Sequence, residues 1–176
     1  MTEISFLDLV EVRVVAAMRK AGITLQAIRF AMTYAQERLG IERPLTSREF
    51  KTTGSEVLMS AIEDDGELVS LSRKNPGQKV FKKIVSQSLN DLEYEGSVAA
   101  RWRPKGFAQI VIDPNRNFGD PLLDEFGVST KLISEEFSNF DDLDYLARMY
   151  EIPKDILKTG ILFENQLDEA YGQNSI

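Results

Sequence analysis

The chain has 176 residues, of which 43% are hydrophobic and 28% charged, the composition of a soluble globular protein with one large domain or two small ones. It contains no cysteine and no histidine, which excludes disulfides, thiolate or histidine metal sites, and catalysis by serine–histidine or cysteine nucleophiles. The net charge of −7 is uneven, because residues 1–110 carry +2 and residues 111–176 carry −9. This asymmetry predicts that the two halves do different work.

The sequence has no apolar run of eighteen or more residues, so we expect no membrane span. Its first residues are acidic rather than basic-then-apolar, so nothing suggests export. We therefore expect a cytoplasmic protein.

The first predicted elements are two amphipathic helices joined by a short turn at Ala21-Gly22. Thr24 stands where a hydroxyl caps a helix, and Gly40 where a left-handed residue ends one. Apolar residues recur at helical spacing in both helices: Phe6, Leu9, Val10, Val14, Ala17 and Met18, then Leu25, Ile28, Met32, Ala35 and Leu39. This is the layout of a helix-turn-helix, although many helical proteins that never touch DNA share it.

The opposite face of the second helix carries long polar side chains: Gln26, Arg29, Thr33, Gln36 and Arg38. A helix that enters the DNA major groove presents such a face. We therefore expect DNA contacts from Thr24, Gln26, Arg29 and Thr33.

The next stretch predicts a small β-hairpin. An apolar run from Val57 to Ile62 precedes an Asp64-Asp65-Gly66 turn, which leads into Leu68 to Ser72. A hairpin after a helix-turn-helix is the layout of a winged helix. Arg48 and Lys51 would lie near its edge, where phosphate contacts are common. Alternatively, both are solvated loop charges.

Asn75-Pro76 predicts the start of a third amphipathic helix that runs through Leu92 and could also form the seam of a dimer. The stretch from Val98 to Arg103 alternates as a half-buried strand. A turn at Pro104-Lys105-Gly106 then predicts a second hairpin into Phe107 to Ile112. We expect Trp102, the single tryptophan, in the core.

The stretch that begins at Asp113 is rich in Asn, Gly, Pro and Asp, so it predicts a loop at a domain boundary. We assign residues 1–112 to a DNA-binding domain and residues 113–176 to an acidic domain of three helices for protein contacts. Its apolar positions are Leu132, Ile133, Phe137, Leu143, Leu146, Ala147, Tyr150, Ile156, Leu157, Ile161 and Phe163. The predicted class is α+β and mostly helical.

Three carboxylates, Asp141, Asp142 and Asp144, stand at the start of the second of these helices. They could bind a divalent cation through oxygen ligands. Acidic residues at a helix start more often interact with the helix dipole, and we favour that interpretation.

The segment GITLQAIRF resembles the start of the recognition helix in MerR-type regulators. There, a glycine-led turn precedes a hydroxyl residue and a leucine/isoleucine–arginine–aromatic triplet, here Ile28-Arg29-Phe30. The resemblance implies that Arg29 and Phe30 lie on the DNA side. Ala31 departs from the family pattern, which usually has a second aromatic residue at this place.

An ordered set of segments covers nearly the whole chain: FLDLVEVRVVAAMRKAGITLQAIRFA, RWRP, IDPNRNFGDP, GVST and LARMYEIPKDILKTGILFENQL. The set resembles VapB-like antitoxins of bacterial type II toxin–antitoxin pairs. The resemblance implies a MerR-like winged helix-turn-helix, operator binding as a homodimer, repression of the chain's own operon, and neutralisation of a toxin, often a PIN-type ribonuclease. We expect no cofactor and no metal. Many relatives have a glycine-threonine-arginine turn where this chain has residues 124–130, DEFGVST.

Two other functions stay open at this point. The chain could be a stand-alone MerR-like regulator whose C-terminal domain binds an effector or another protein. It could also be a carboxylate-dependent metal hydrolase, but it has no glycine-rich phosphate-binding loop and no paired acid motif. We therefore expect a protein that is not an enzyme.

Overall fold

The computed structural model describes residues 4–64 and 77–172. The chain divides into two compact units, a first unit up to Ala100 and a second unit from Arg101. The boundary predicted after Ile112 falls inside the second unit. Across the described ranges, no helix has both the length and the apolar character needed to cross a membrane.

The first unit is mostly helical and ends in a two-stranded antiparallel hairpin. Its elements are α1 Phe6–Lys20, α2 Leu25–Leu39, a 3₁₀ turn Pro44–Thr46, α3 Arg48–Asp64, α4 Gly77–Leu89, β1 Leu92–Glu95 and the first residues of β2 Val98–Trp102. The last two residues of β2, Arg101 and Trp102, belong to the second unit. Helix α3 packs against both α2 and α4, and α1 packs against α4 and the 3₁₀ turn. The described core of this unit therefore lies between four helices.

Local capping explains where the first two helices begin and end. The Ser5 hydroxyl and the Asp8 carboxylate form a reciprocal capping box at the start of α1. Thr24 caps α2 by accepting a hydrogen bond from the Ala27 N–H at 3.2 Å, and Gly40 ends it in the left-handed conformation. The predicted helices, their turn and both α2 caps are confirmed.

The buried side of α2 differs from the predicted stripe. Its buried residues are Ala27, Ile28, Ala31 and Ala35. Leu25, predicted to be buried, is 50% exposed. Three alanines at four-residue spacing leave little side-chain bulk on this side, and Ile28 is the one large apolar residue of α2 that is buried.

The predicted strand from Val57 to Ile62 is wrong, because these residues belong to α3. The Ser47 hydroxyl accepts a hydrogen bond from the Phe50 N–H at 3.0 Å at the start of this helix. Phe50, Val57 and Leu58 are all buried and recur at helical spacing. The predicted strand from Leu68 to Ser72 and the Asn75-Pro76 cap lie outside the described residues.

The strand predicted from Val98 is confirmed as β2, but its hairpin partner is β1, which precedes it in sequence. Gly96, with φ of 59°, forms part of the turn between them. The predicted partner Phe107 to Ile112 contributes only one bridge to this strand, in which Trp102 and Ile112 exchange backbone hydrogen bonds of 3.0 and 2.9 Å. Trp102 is half-buried.

The second unit combines a small antiparallel sheet with three helices. Its elements are β3 Ile110–Val111, a 3₁₀ turn Asn117–Gly119, β4 Leu122–Leu123, β5 Val128–Ser129, α5 Thr130–Phe140, α6 Leu143–Tyr150 and α7 Lys154–Gly172. In the sheet, Ile110 pairs with Leu123, and Leu122 pairs with Ser129. The three predicted helices are confirmed, whereas the predicted loop contains two short strands.

One core holds the second unit together: Phe107, Ile110, Leu123, Ile133, Leu146, Ile152, Leu157 and Phe163. The rings of Phe107 and Phe163 meet edge to face with centroids 5.2 Å apart. The α+β, mostly helical class is confirmed.

Replacing Gly54 by alanine tests the helical assignment of α3. A Cβ at this position would lie 2.8–2.9 Å from ring atoms of Phe50, which is fully buried. Overpacking outweighs the gain in helix propensity, so we expect a net loss of about 1–2 kcal/mol in the free energy of unfolding. Urea denaturation measures it. The adjacent control, Ser55→Ala, should be neutral or slightly stabilising, and a stabilised Gly54→Ala would contradict this packing.

Candidate nucleic-acid interface

The outward face of α2 presents the polar residues predicted to contact DNA. Gln26, Arg29 and Thr33 are exposed. Within the described part of the chain, the Arg29 side chain has no hydrogen-bond or ion-pair partner, and the Thr33 hydroxyl donates to the Arg29 carbonyl at 3.2 Å. Phe30 is half-buried, and the hydroxyl of Thr24 is used in capping. The structure therefore brings three of these side chains together on one exposed surface.

The turn before α2 is held by both packing and hydrogen bonds. Met18 and Ile23 are buried on its inner side, and the Ile23 N–H donates to the Met18 carbonyl at 3.1 Å. The Arg19 guanidinium donates to the Ile23 carbonyl at 2.8 Å. Gly22 has φ of 88°, a conformation that other residues rarely adopt. These contacts fix the direction in which α2 leaves α1.

A groove of about 590 Å³ runs beside this polar face. It is lined by Glu11, Val15, Leu25, Ile28, Arg29, Met32, Thr33, Gln36, Glu42, Pro44 and Leu45. The candidate surface therefore joins a polar strip to an apolar one. Sequence reasoning missed the apolar strip, because it placed Leu25 and Met32 on the buried side of α2.

Arg43, next to the groove-lining Pro44, holds α1 through an arginine clamp. Arg43 donates to Glu11 at 2.7 and 3.0 Å and to Asp8 at 2.5 Å. It thereby ties the residue before the 3₁₀ turn to α1. Hydrogen bonds from the Ser5 hydroxyl and then from Arg43 lower the pKa of Asp8 from 3.8 to about 2.

Arg48 and Lys51 lie in the first turns of α3, beside the β1–β2 hairpin rather than at the hairpin predicted around residue 65. The Arg48 N–H donates to the Ser97 carbonyl at 2.9 Å, and its guanidinium donates to the Tyr94 carbonyl at 3.3 Å. The Arg48 Cζ lies 5.9 Å and the Lys51 Nζ 5.3 Å from the centroid of the Tyr94 ring. Two cations are thus gathered around one tyrosine.

The acidic cluster of the second unit is engaged in capping and pairing. Asp142 caps α6 by accepting a hydrogen bond from the Tyr145 N–H at 2.9 Å. Asp144 pairs with Lys154, which lowers the pKa of Asp144. Asp141 ends α5 in the left-handed conformation. In residues 4–64 and 77–172, no group of three or more acidic side chains is arranged to hold a metal ion.

No protein-family model matches the chain. It is similar to a protein of Mycobacterium tuberculosis (strain ATCC 25618 / H37Rv) named "putative antitoxin VapB45", with 32% identity over 133 residues. That match covers 70% of this chain and 55% of the relative, so the chain spans little more than half of that protein. Among solved structures it is similar to the crystal structure of Rv2018 from Mycobacterium tuberculosis, with a TM-score of 0.71 and 26% identity over 89% of this chain and 77% of the other.

Replacing Asp8 by asparagine tests the arginine clamp through pH. Because the pKa of Asp8 is lowered in the folded state, its ionised form stabilises the fold above about pH 4, and this contribution is lost as the pH falls toward 2. The difference in unfolding free energy between wild type and Asp8→Asn should therefore shrink between pH 4 and pH 2.

Urea denaturation at a series of pH values measures this difference. Arg43→Gln removes the second contributor and should weaken the same pH dependence. A wild-type to Asp8→Asn difference that is constant from pH 5 to pH 2 would show that the clamp contributes nothing in solution.

Proposed function

We propose that the chain is a DNA-binding antitoxin of a bacterial type II toxin–antitoxin pair. As a homodimer, its first unit would bind the operator and repress the chain's own operon. Its second unit would neutralise a toxin, a PIN-type ribonuclease. The observation that carries the proposal is the 32% identity to a protein named as an antitoxin, in a chain whose α2 exposes Arg29, an arginine without a hydrogen-bond or ion-pair partner among the described residues.

The proposed reading surface is the N-terminal part of α2. Gln26 and Arg29 lie three residues apart on its exposed face, and Thr33 lies one turn further along. Arginine can donate two hydrogen bonds to guanine, and glutamine can pair with adenine, so both can read base edges in the major groove. Thr24 and Phe30 flank this surface and would support the contact.

Arg48 and Lys51 would add phosphate contacts. Their position around Tyr94 holds both charges near the β1–β2 hairpin. Contacts of this kind orient a protein on the duplex without reading its sequence. The hairpin beside them would then have the role of a wing.

The charge distribution supports different binding partners for the two units. DNA carries about one negative charge per 1.7 Å of helix axis. It therefore repels residues 111–176, which have a net charge of −9. The same charge attracts a basic partner and increases the rate of encounter. A ribonuclease that binds RNA through cationic residues is a partner of this kind.

Arg29→Ala tests the reading helix. With a duplex taken from the DNA upstream of the chain's own reading frame, we expect binding to weaken about 10- to 100-fold, because one base or phosphate contact is lost. Fluorescence anisotropy at several salt concentrations measures it. The control, Arg148→Ala, removes the same charge from an exposed site of the second unit and should bind like wild type. Unchanged affinity of Arg29→Ala at every salt concentration would rule out α2 as the reading helix.

Co-expression tests the antitoxin function. The protein encoded next to this chain should copurify with it and be toxic to cells when produced alone. Its ribonuclease activity should fall when this chain is added at equal molarity. A neighbouring protein that neither binds nor is toxic would instead favour a stand-alone regulator.

A further inference from the structure

The second unit exposes three large apolar side chains where α5 meets α6. Phe140 is 56% exposed, Tyr145 39% and Met149 53%. The rings of Phe140 and Tyr145 lie 5.3 Å apart, and Tyr145 and Met149 are four residues apart on one face of α6. We call these three residues the aromatic patch.

The link between the two helices holds the patch in place. The Asp141 N–H donates to the Phe137 carbonyl at 2.8 Å, and the Asp142 carboxylate caps α6 at the Tyr145 N–H. On the other side of α6, Leu146 is fully buried in the core. The patch therefore sits on fixed backbone, so little conformational entropy would be lost when a partner covers it.

The surroundings of the patch are acidic. Residues 130–155 contain three basic and seven acidic side chains, a net charge of −4. Two of the basic residues pair with carboxylates of the same stretch, Lys131 with Glu135 and Lys154 with Asp144. Asp141, Asp142 and Glu151 are exposed beside the patch. A partner that covers it must therefore be positively charged at its rim.

We propose that the aromatic patch is the docking site for a basic protein surface, the toxin of the proposed function on which this inference rests. Phenylalanine, tyrosine and methionine surrounded by charged residues have the composition of an interface centre with a polar rim. An arginine or lysine of the partner would stack on the Phe140–Tyr145 pair and face the nearby carboxylates. A nucleic acid would be repelled by these carboxylates, and a second copy would bring the same negative charge.

Binding of the neighbouring protein to wild type and to the double variant Tyr145→Ala/Met149→Ala tests the site. We expect the Kd to rise at least about 30-fold, because two residues at an interface centre are truncated. The matched control is Leu162→Ala on α7, since Leu162 is 53% exposed like Met149; it should change the Kd by less than about 3-fold. Calorimetry measures Kd, and circular dichroism melts verify folding.

A second arm tests the charge of the partner. Asp141→Asn/Glu151→Gln should slow association and flatten its salt dependence, because two carboxylates at the rim are removed. Stopped-flow binding between low and high salt measures this effect. An unchanged salt dependence would overturn the basic character assigned to the partner.

The possible outcomes separate the two proposals. If wild type does not bind the neighbouring protein, the proposed function and the docking site both fail. If wild type binds and the double variant binds equally well, or Leu162→Ala loses as much affinity, only the docking site fails. If sedimentation shows that the double variant changes from dimer to monomer, the patch joins two copies of this chain and the site assignment is overturned.

Discussion

The packing of α2 against its neighbours depends on three alanines. Ala27, Ala31 and Ala35 are all buried, and each side chain is a single methyl group. The long polar side chains of α2 lie on the opposite side, where Gln26, Arg29, Gln36 and Arg38 are exposed. A bulkier residue at these positions would force α2 outward, at a cost of about 1–3 kcal/mol. The MerR pattern usually has a second aromatic residue at the position of Ala31. Such a residue would not fit here, because Ala31 is buried in this packing.

The second unit keeps an acidic surface because it uses several of its arginines internally. Arg103 and Arg116 both donate to Asp124 at 2.5 Å, and Arg101 lies 4.0 Å from the buried carboxylate of Asp113. Burial alone would raise the pKa of Asp124, but the hydrogen bonds from the two arginines outweigh burial and lower it. These cations stabilise the layer of short strands rather than balance the carboxylates of α5 and α6. The negative charge seen in the sequence thus stays at the surface.

The elements that could be predicted from the sequence are those with local signals. Thr24 and Gly40 mark the ends of α2 through backbone chemistry that does not depend on the rest of the fold. Helix α3 could not be recognised in this way, because an Asp-Gly pair after an apolar run predicts a hairpin. The structure is helical there because a helix buries Phe50, Val57 and Leu58 together. The same holds for the candidate site. The exposed position of Arg29 on α2 follows from helical spacing, but the gathering of Arg48 and Lys51 around Tyr94 joins residues more than forty positions apart.

The aromatic patch was hidden from sequence reasoning for a related reason. Helix α6 is only eight residues long and is apolar on two sides, with Leu146 turned into the core and Tyr145 and Met149 turned outward. The sequence pattern shows that these residues are apolar. It does not show which side of α6 packs against the rest of the chain. Leaving such side chains in water forgoes stabilisation of about 25 cal/mol for each Å² that burial would remove. In the first unit, the buried side of α2 consists largely of alanines. In the second unit, the large apolar side chains Phe140, Tyr145 and Met149 remain exposed. This uncovered apolar surface is the feature on which the proposed docking site rests.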